Sequence, residues 1–242
     1  MEKQKAPRKN ENLIVLAIFA VAMGLLEAAV VVYLRQIFYP EGMSTTMIAA
    51  HQKILSIEAL RELATIVMLV TVSLVAGKGF VQRFAYFLYI FGIWDIFYYV
   101  FLKVFLGWPS SLLTWDVLFF VPVPWVSPVL APIICSLTMI MFGAITVRLE
   151  TQGITVNINL WDWLLMIAGA FVIFYSFIES YLLLIKRSGL PISAWASTND
   201  PYLQHLFSQY APAHYNWYLF LAGEVLILLG MTLTFRRANS CN

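Results

Sequence analysis

Charge is what this chain is short of. Only 12% of its 242 residues are Asp, Glu, Lys or Arg, about half the share of a soluble globular domain. Its Lys and Arg are scattered or sit beside apolar runs, and the net charge is +2. Nucleic-acid binding needs a clustered basic face, so that partner class is excluded. Cysteine is nearly absent: Cys135 falls in a hydrophobic segment and Cys241 at the C-terminal end, giving neither a CxxC redox pair nor a disulfide framework. The histidines are His51, His205 and His214. A membrane haem needs histidines on helices within the bilayer, and His205 and His214 fall in a polar stretch, so there is no haem signature. GxGxxG, Walker-type phosphate loops, GxSxG and HExxH are missing too, which leaves no nucleotide, flavin or hydrolase motif.

What is there is apolar. Hydrophobic residues make up 61% of the chain, aromatics 16%, and the mean hydropathy is +0.80. Such a composition makes the lipid bilayer the expected partner and solvent. Apolar runs over residues 13–34, 57–77, 84–102, 128–147, 160–185 and 215–235 are each about long enough to cross 30 Å of hydrocarbon at 1.5 Å per residue. The expected fold class is therefore all-α: a polytopic integral membrane protein, one domain of six transmembrane helices. Ala20-Val21-Ala22 has the form of a signal-peptide cleavage site, but the apolar run continues past it instead of stopping. Residues 43–56 suit an interfacial amphipathic helix. Residues 112–127 are apolar but broken by Pro122 and Pro124, which predicts an interfacial or re-entrant segment between helices three and four. Pro128 and Pro132 are expected in the first turns of helix four, where the missing N–H costs little.

Six spans put both termini on one side. With that side cytoplasmic, Lys3, Lys5, Arg8, Lys9, Lys78, Arg83, Arg148, Arg236 and Arg237 lie inside, and Arg35, Lys53, Arg61, Lys103, Lys186 and Arg187 outside. The bias follows the positive-inside rule and points to a cytoplasmic membrane of prokaryotic type, although Lys186-Arg187 runs against it.

Ionisable residues inside spans are costly, by about 2.5–3.5 kcal/mol each, and so mark candidate sites. Glu27, Asp95, Glu179 and Glu224 lie within spans one, three, five and six, and Glu58, Arg61 and Glu62 in the first turns of span two. Counted along the helices, the four in-span acids share one depth, about 9–14 Å below the outer surface. Helical spacing sets Asp95 beside Gly92, Tyr98 and Tyr99, Glu179 beside Tyr175 and Ser176, and Glu62 beside Glu58, Arg61 and Thr65. Span four carries no acid, and with Ser136 and Thr138 as its strongly polar interior residues it reads as scaffold. Trp161-Asp162-Trp163 and Trp115-Asp116 read as interfacial anchors, Asp116 covering the site without belonging to it.

These patterns admit three functions. The first is an outward-facing pocket that binds or transports a proton, a cation or a small cationic solute, with Glu27, Glu58, Arg61, Glu62, Asp95, Tyr99, Glu179 and Glu224 as binding or protonation groups. The second is a non-catalytic subunit of a larger membrane complex, respiratory for example, or a homo-oligomer, with Arg61 merely satisfying Glu62 or Glu27. The third is a membrane metalloenzyme in which His205 or His214 joins the carboxylates. Met43, Met47 and His51 at i, i+4 and i+8 would suit copper, or equally an interfacial helix packed on its methionines. A di-iron site wants Glu-x-x-His, and Glu58 is followed at i+3 by Arg61.

Overall fold

The computed structural model of the chain describes residues 9–38, 52–119, 123–189 and 214–240. Six helices account for most of them: α1 (Lys9–Phe38), α2 (Gln52–Ala76), α3 (Phe80–Leu106), α4 (Leu130–Thr151), α5 (Leu160–Arg187) and α6 (Trp217–Ser240). All six are long and apolar enough to cross a membrane. Most overrun the apolar stretches marked in the sequence, because helical hydrogen bonding does not stop where side chains turn polar. Thus α2 begins at Gln52, inside the stretch read as an interfacial helix, while Met43, Met47 and His51 lie outside the described residues. Helix α3 ends at Gly107, whose left-handed φ of 66° lets its N–H close onto the Lys103 carbonyl at 3.0 Å.

The passage between α3 and α4 holds a small sheet that the all-α expectation did not contain. Strand β1 (Trp115–Phe119) pairs antiparallel with β2 (Trp125–Pro128), setting Trp115 opposite Pro128, Asp116 opposite Ser127 and Val117 opposite Val126. An irregularity after Val117 brings Phe119 opposite Trp125. Pro128 therefore closes a strand, where a missing N–H is tolerated, and does not open helix four as expected. The hairpin is fastened to the start of α4, with Val129 N–H donating to Thr114 at 3.0 Å and Leu130 N–H to Leu112 at 2.8 Å.

Helix α3 is the centre of the packing, with α1, α2 and α4 against it, while α5 and α6 form a second, close pair. Glycines make these approaches possible. A Cβ on Gly92 would lie 2.5 Å from the Ser136 carbonyl oxygen of α4, and one on Gly223 of α6 would lie 2.8 Å from that of Gly169 on α5. The seam between α4 and α6 is much thinner, crossed by the ring contact of Phe142 with Phe235. The main core fills the space among α1, α3 and α4 with Leu16, Ala20, Ile90, Trp94 and Phe142. A second cluster joins Phe177 and Ile173 to Phe220, partly beneath Trp125 of the hairpin. One end of the bundle thus carries the hairpin, and the other carries the start of α1 and the end of α6.

Candidate functional site

The chain alternates direction through the bundle, so the acids singled out in the sequence all fall toward the hairpin end. They do not gather in one cluster; they extend sideways across the helices in three groups.

The first joins α1 to α2. Arg61 bridges Glu27 of α1 and Glu58 one turn before it, the latter at 2.5 Å. Its side chain is 21% exposed, against 12% for Glu27 and 14% for Glu58. Two carboxylates thus share one guanidinium. Glu62 is buried on the next turn of the same helix, as is Thr65, whose hydroxyl donates to the Arg61 carbonyl at 3.1 Å.

The second group lies between α3, α4 and the hairpin. Asp95 accepts a hydrogen bond from the Ser136 hydroxyl at 2.7 Å. One turn on, the Tyr99 hydroxyl donates to Asp116 of β1 at 3.0 Å. Asp116 thus touches this group through Tyr99, a contact between the strand expected to cover the site and the helix beneath it. Burial raises its carboxyl to about 6, opposed by the charge of Arg35 and by the Tyr99 hydrogen bond. Arg35 itself sits over the Trp108 ring, 4.0 Å from its centroid. Asp95 is within electrostatic reach of both Asp116 and Glu27, which links the first two groups.

The third group lies between α4, α5 and α6. Glu224, 4% exposed, accepts from the Thr138 hydroxyl at 3.0 Å through one oxygen; its other oxygen is buried with no hydrogen bond. Cys135 of α4 lies against Glu224 and within reach of Asp95. Glu179 takes a long contact of 3.4 Å from the Asn216 amide, and the Ser176 hydroxyl meets that of Tyr215 at 2.9 Å. Tyr215 is packed among the rings of Trp115, Phe177, Trp217 and Phe220.

Helix α4 is thus more than the scaffold its lack of acids suggested. Ser136 faces α3 and Thr138 faces α6, each supplying a hydroxyl to an acid on a different neighbour. A hydroxyl carries no charge and gives no signal in a search for ionisable residues, so its role emerges only once helix neighbours are known. Among the described residues, no Lys or Arg forms an ion pair with Asp95, Glu224 or Glu179.

Asp162 is a separate case at the opposite end. It fills the capping box of α5 with Asn159, is 1% exposed, accepts from Thr234 at 2.9 Å and pairs with Arg237. Asp162 thus stands at a helix N-terminus, as Trp161-Asp162-Trp163 suggested, and in addition clamps α5 to α6. His214 is exposed just before α6, whereas His205, like His51, lies outside the described residues. Among the described residues, no three His, Cys, Asp or Glu side chains come together as a metal-holding set. Compared with models of protein families, with curated proteins and with solved structures, the chain matches none.

Proposed function

We propose that this is a multi-pass membrane protein, with both termini cytoplasmic, that binds and exchanges protons or small cations through the carboxyl layer at its hairpin end, as a transporter does. The observation that carries this reading is the environment of Asp95 and Glu224. Both lie within apolar helices, and their described partners are neutral groups of α4: the Ser136 hydroxyl for Asp95, and the Thr138 hydroxyl with the Cys135 thiol alongside for Glu224. A carboxylate without a cation is expensive in hydrocarbon, so each needs a proton or a bound cation for neutrality. A hydroxyl suits either state: it donates to the carboxylate, and after a rotation it accepts from the acid. Glu27 and Glu58, tied to Arg61, form the fixed electrostatic border of the layer, and Asp116 with Tyr99 forms its cover. Glu62 and Glu179 extend the layer on α2 and α5.

The test is ion flux into liposomes containing the purified protein, followed with entrapped pH and cation indicators. Asp95→Asn and Glu224→Gln should each reduce flux by at least tenfold. Ser136→Ala and Thr138→Val should reduce it by roughly 2- to 12-fold, the equivalent of one hydrogen bond of about 0.5–1.5 kcal/mol. Flux that persists in the Asp95→Asn/Glu224→Gln double variant, or wild-type liposomes no leakier than empty ones, refutes the reading.

A second reading is favoured by the outer helices. Only 28% of the α1 span and 22% of the α2 span are buried, against 39% for α3 and α4, so a partner subunit has apolar surface to cover there. Stable co-purification of another membrane protein that is lost on substituting exposed Leu60 and Leu63 of α2 by alanine supports a complex.

A further inference from the structure

The thin seam between α4 and α6 opens, toward the end that carries the termini, into a groove of about 270 Å³. Its walls are Met141 and Ile145 of α4 with Leu228, Met231 and Phe235 of α6, and Arg236 and Asn239 close its far end. Thr232 also lines it, but its hydroxyl is turned back onto the Leu228 carbonyl at 2.7 Å, which leaves the middle of the groove apolar. The groove is therefore amphipathic along its length. Its apolar part covers Leu228 to Phe235, about 10 Å of helix rise, and the polar atoms come only in the final turn.

The charges at this end are sorted by direction. On α4, Arg148 projects within about 40° of the Met141 and Ile145 stripe, whereas Glu150 points to the opposite side, toward Tyr86 of α3. On α6, Arg236 and Asn239 face the groove, while Arg237 turns away to pair with buried Asp162. Among the described residues neither Arg148 nor Arg236 has an acidic partner. The lining of this apolar groove thus includes Arg236 and no acid, and Arg148 follows Ile145 by about one turn on the same side of α4.

We infer that this groove holds an anionic phospholipid from the surrounding leaflet, its acyl chain along Ile145, Leu228 and Met231 and its phosphate at Arg236 and Arg148. An apolar slot ending in basic residues at the membrane boundary matches an acidic lipid in both shape and charge. The occupant fills the part of the α4–α6 seam that side chains leave open. It requires membrane residence but not the proposed exchange chemistry, because Asp95 and Glu224 lie toward the other end of the helices.

Native mass spectrometry of the full chain in detergent tests the inference by titration with phosphatidylglycerol, phosphatidylcholine and inorganic phosphate. Phosphatidylglycerol should bind with one preferred stoichiometry and exceed phosphatidylcholine by at least tenfold, while phosphate alone should neither bind nor displace it. Arg236→Ala should weaken phosphatidylglycerol roughly fivefold, and Arg148→Ala/Arg236→Ala about 30-fold. Ile145→Trp, which fills the groove, should remove the preferred site. Arg236 is on the surface, so its variant folds even if the tryptophan variant does not. Asp95→Asn should leave lipid binding unchanged even if it abolishes flux. Equal binding of the two lipids, displacement by phosphate, or an Arg148→Ala/Arg236→Ala variant that binds phosphatidylglycerol as tightly as the parent overturns the inference.

Discussion

Replacing Asp116 by asparagine should stabilise the protein above pH 6 and do almost nothing at pH 4. The carboxyl titrates at about 6 in the folded chain, above its ordinary value of 3.8, because burial outweighs Arg35 and the Tyr99 hydrogen bond. A group with a raised acid pKa keeps its proton on folding while the unfolded chain has lost it. Its effect on stability is therefore nil below pH 3.8, becomes unfavourable as the pH rises from about 4 to 6, and is constant above. The interval corresponds to about 3 kcal/mol at 1.36 kcal/mol per pH unit. This is a ceiling, since Asp116 keeps some surface exposure and water screens its charge. Asparagine keeps an acceptor for Tyr99 and never ionises, so it avoids the loss. For a chain of this size, 1 kcal/mol moves the melting temperature by about 2–4 °C. The Asp116→Asn variant in detergent should therefore melt several degrees, at most about 12 °C, above the parent at pH 7, with the gap closing by pH 4. Melting followed by tryptophan fluorescence at each pH reads this directly. A variant that melts at or below the parent at pH 7, or a gap of equal size at both ends of the range, refutes the reasoning.

Two further expectations concern how the helices are held. Gly223→Ala adds a Cβ 2.6 Å from Ile173 Cγ1 and 2.8 Å from the Gly169 carbonyl oxygen. It should cost about 1–3 kcal/mol through overpacking, while Gly79→Ala, which meets nothing within 4 Å, should be near neutral in the same melting assay. Arg61→Met leaves Glu27 and Glu58 without their shared cation and should cost about 3 kcal/mol. Adding Glu27→Gln and Glu58→Gln should recover most of that loss; a triple variant as unstable as Arg61→Met would show that the arginine acts through packing and not through charge.

The six helices were legible because each needs some twenty consecutive apolar residues, a pattern few other structures produce. The hairpin was less so. Its prolines were read as breaks, although Val117 and Val126 have the side chains of a half-buried strand. That Glu27, Asp95, Glu179 and Glu224 fall toward one end of the bundle could be counted from the helix rise, but which acid meets which partner could not. Arg61 had Glu62 and Glu27 as candidate partners from spacing, and the helices bring it to Glu27 and Glu58. Asp95 meets Ser136, and Glu224 meets Thr138, only because α4 stands between α3 and α6, and helix order around a bundle has no local signature in the chain. The partner of Asp116 was hidden for a related reason: its distance from Tyr99 along the sequence concealed the fold-back that brings β1 against α3.

The pairing of acids with later partners also bears on how the protein is made. Asp95 precedes Ser136 by 41 residues, and Glu27 likewise comes before Arg61. At about 5–20 residues per second of synthesis, Asp95 emerges roughly 2–8 seconds before its partner exists. Glu224, 86 residues after Thr138, arrives to a hydroxyl already in place. The nascent chain therefore has to hold Glu27 and Asp95 at a wet boundary, or keep them neutral, until α2 and α4 are synthesised, whereas Glu224 can dock at once.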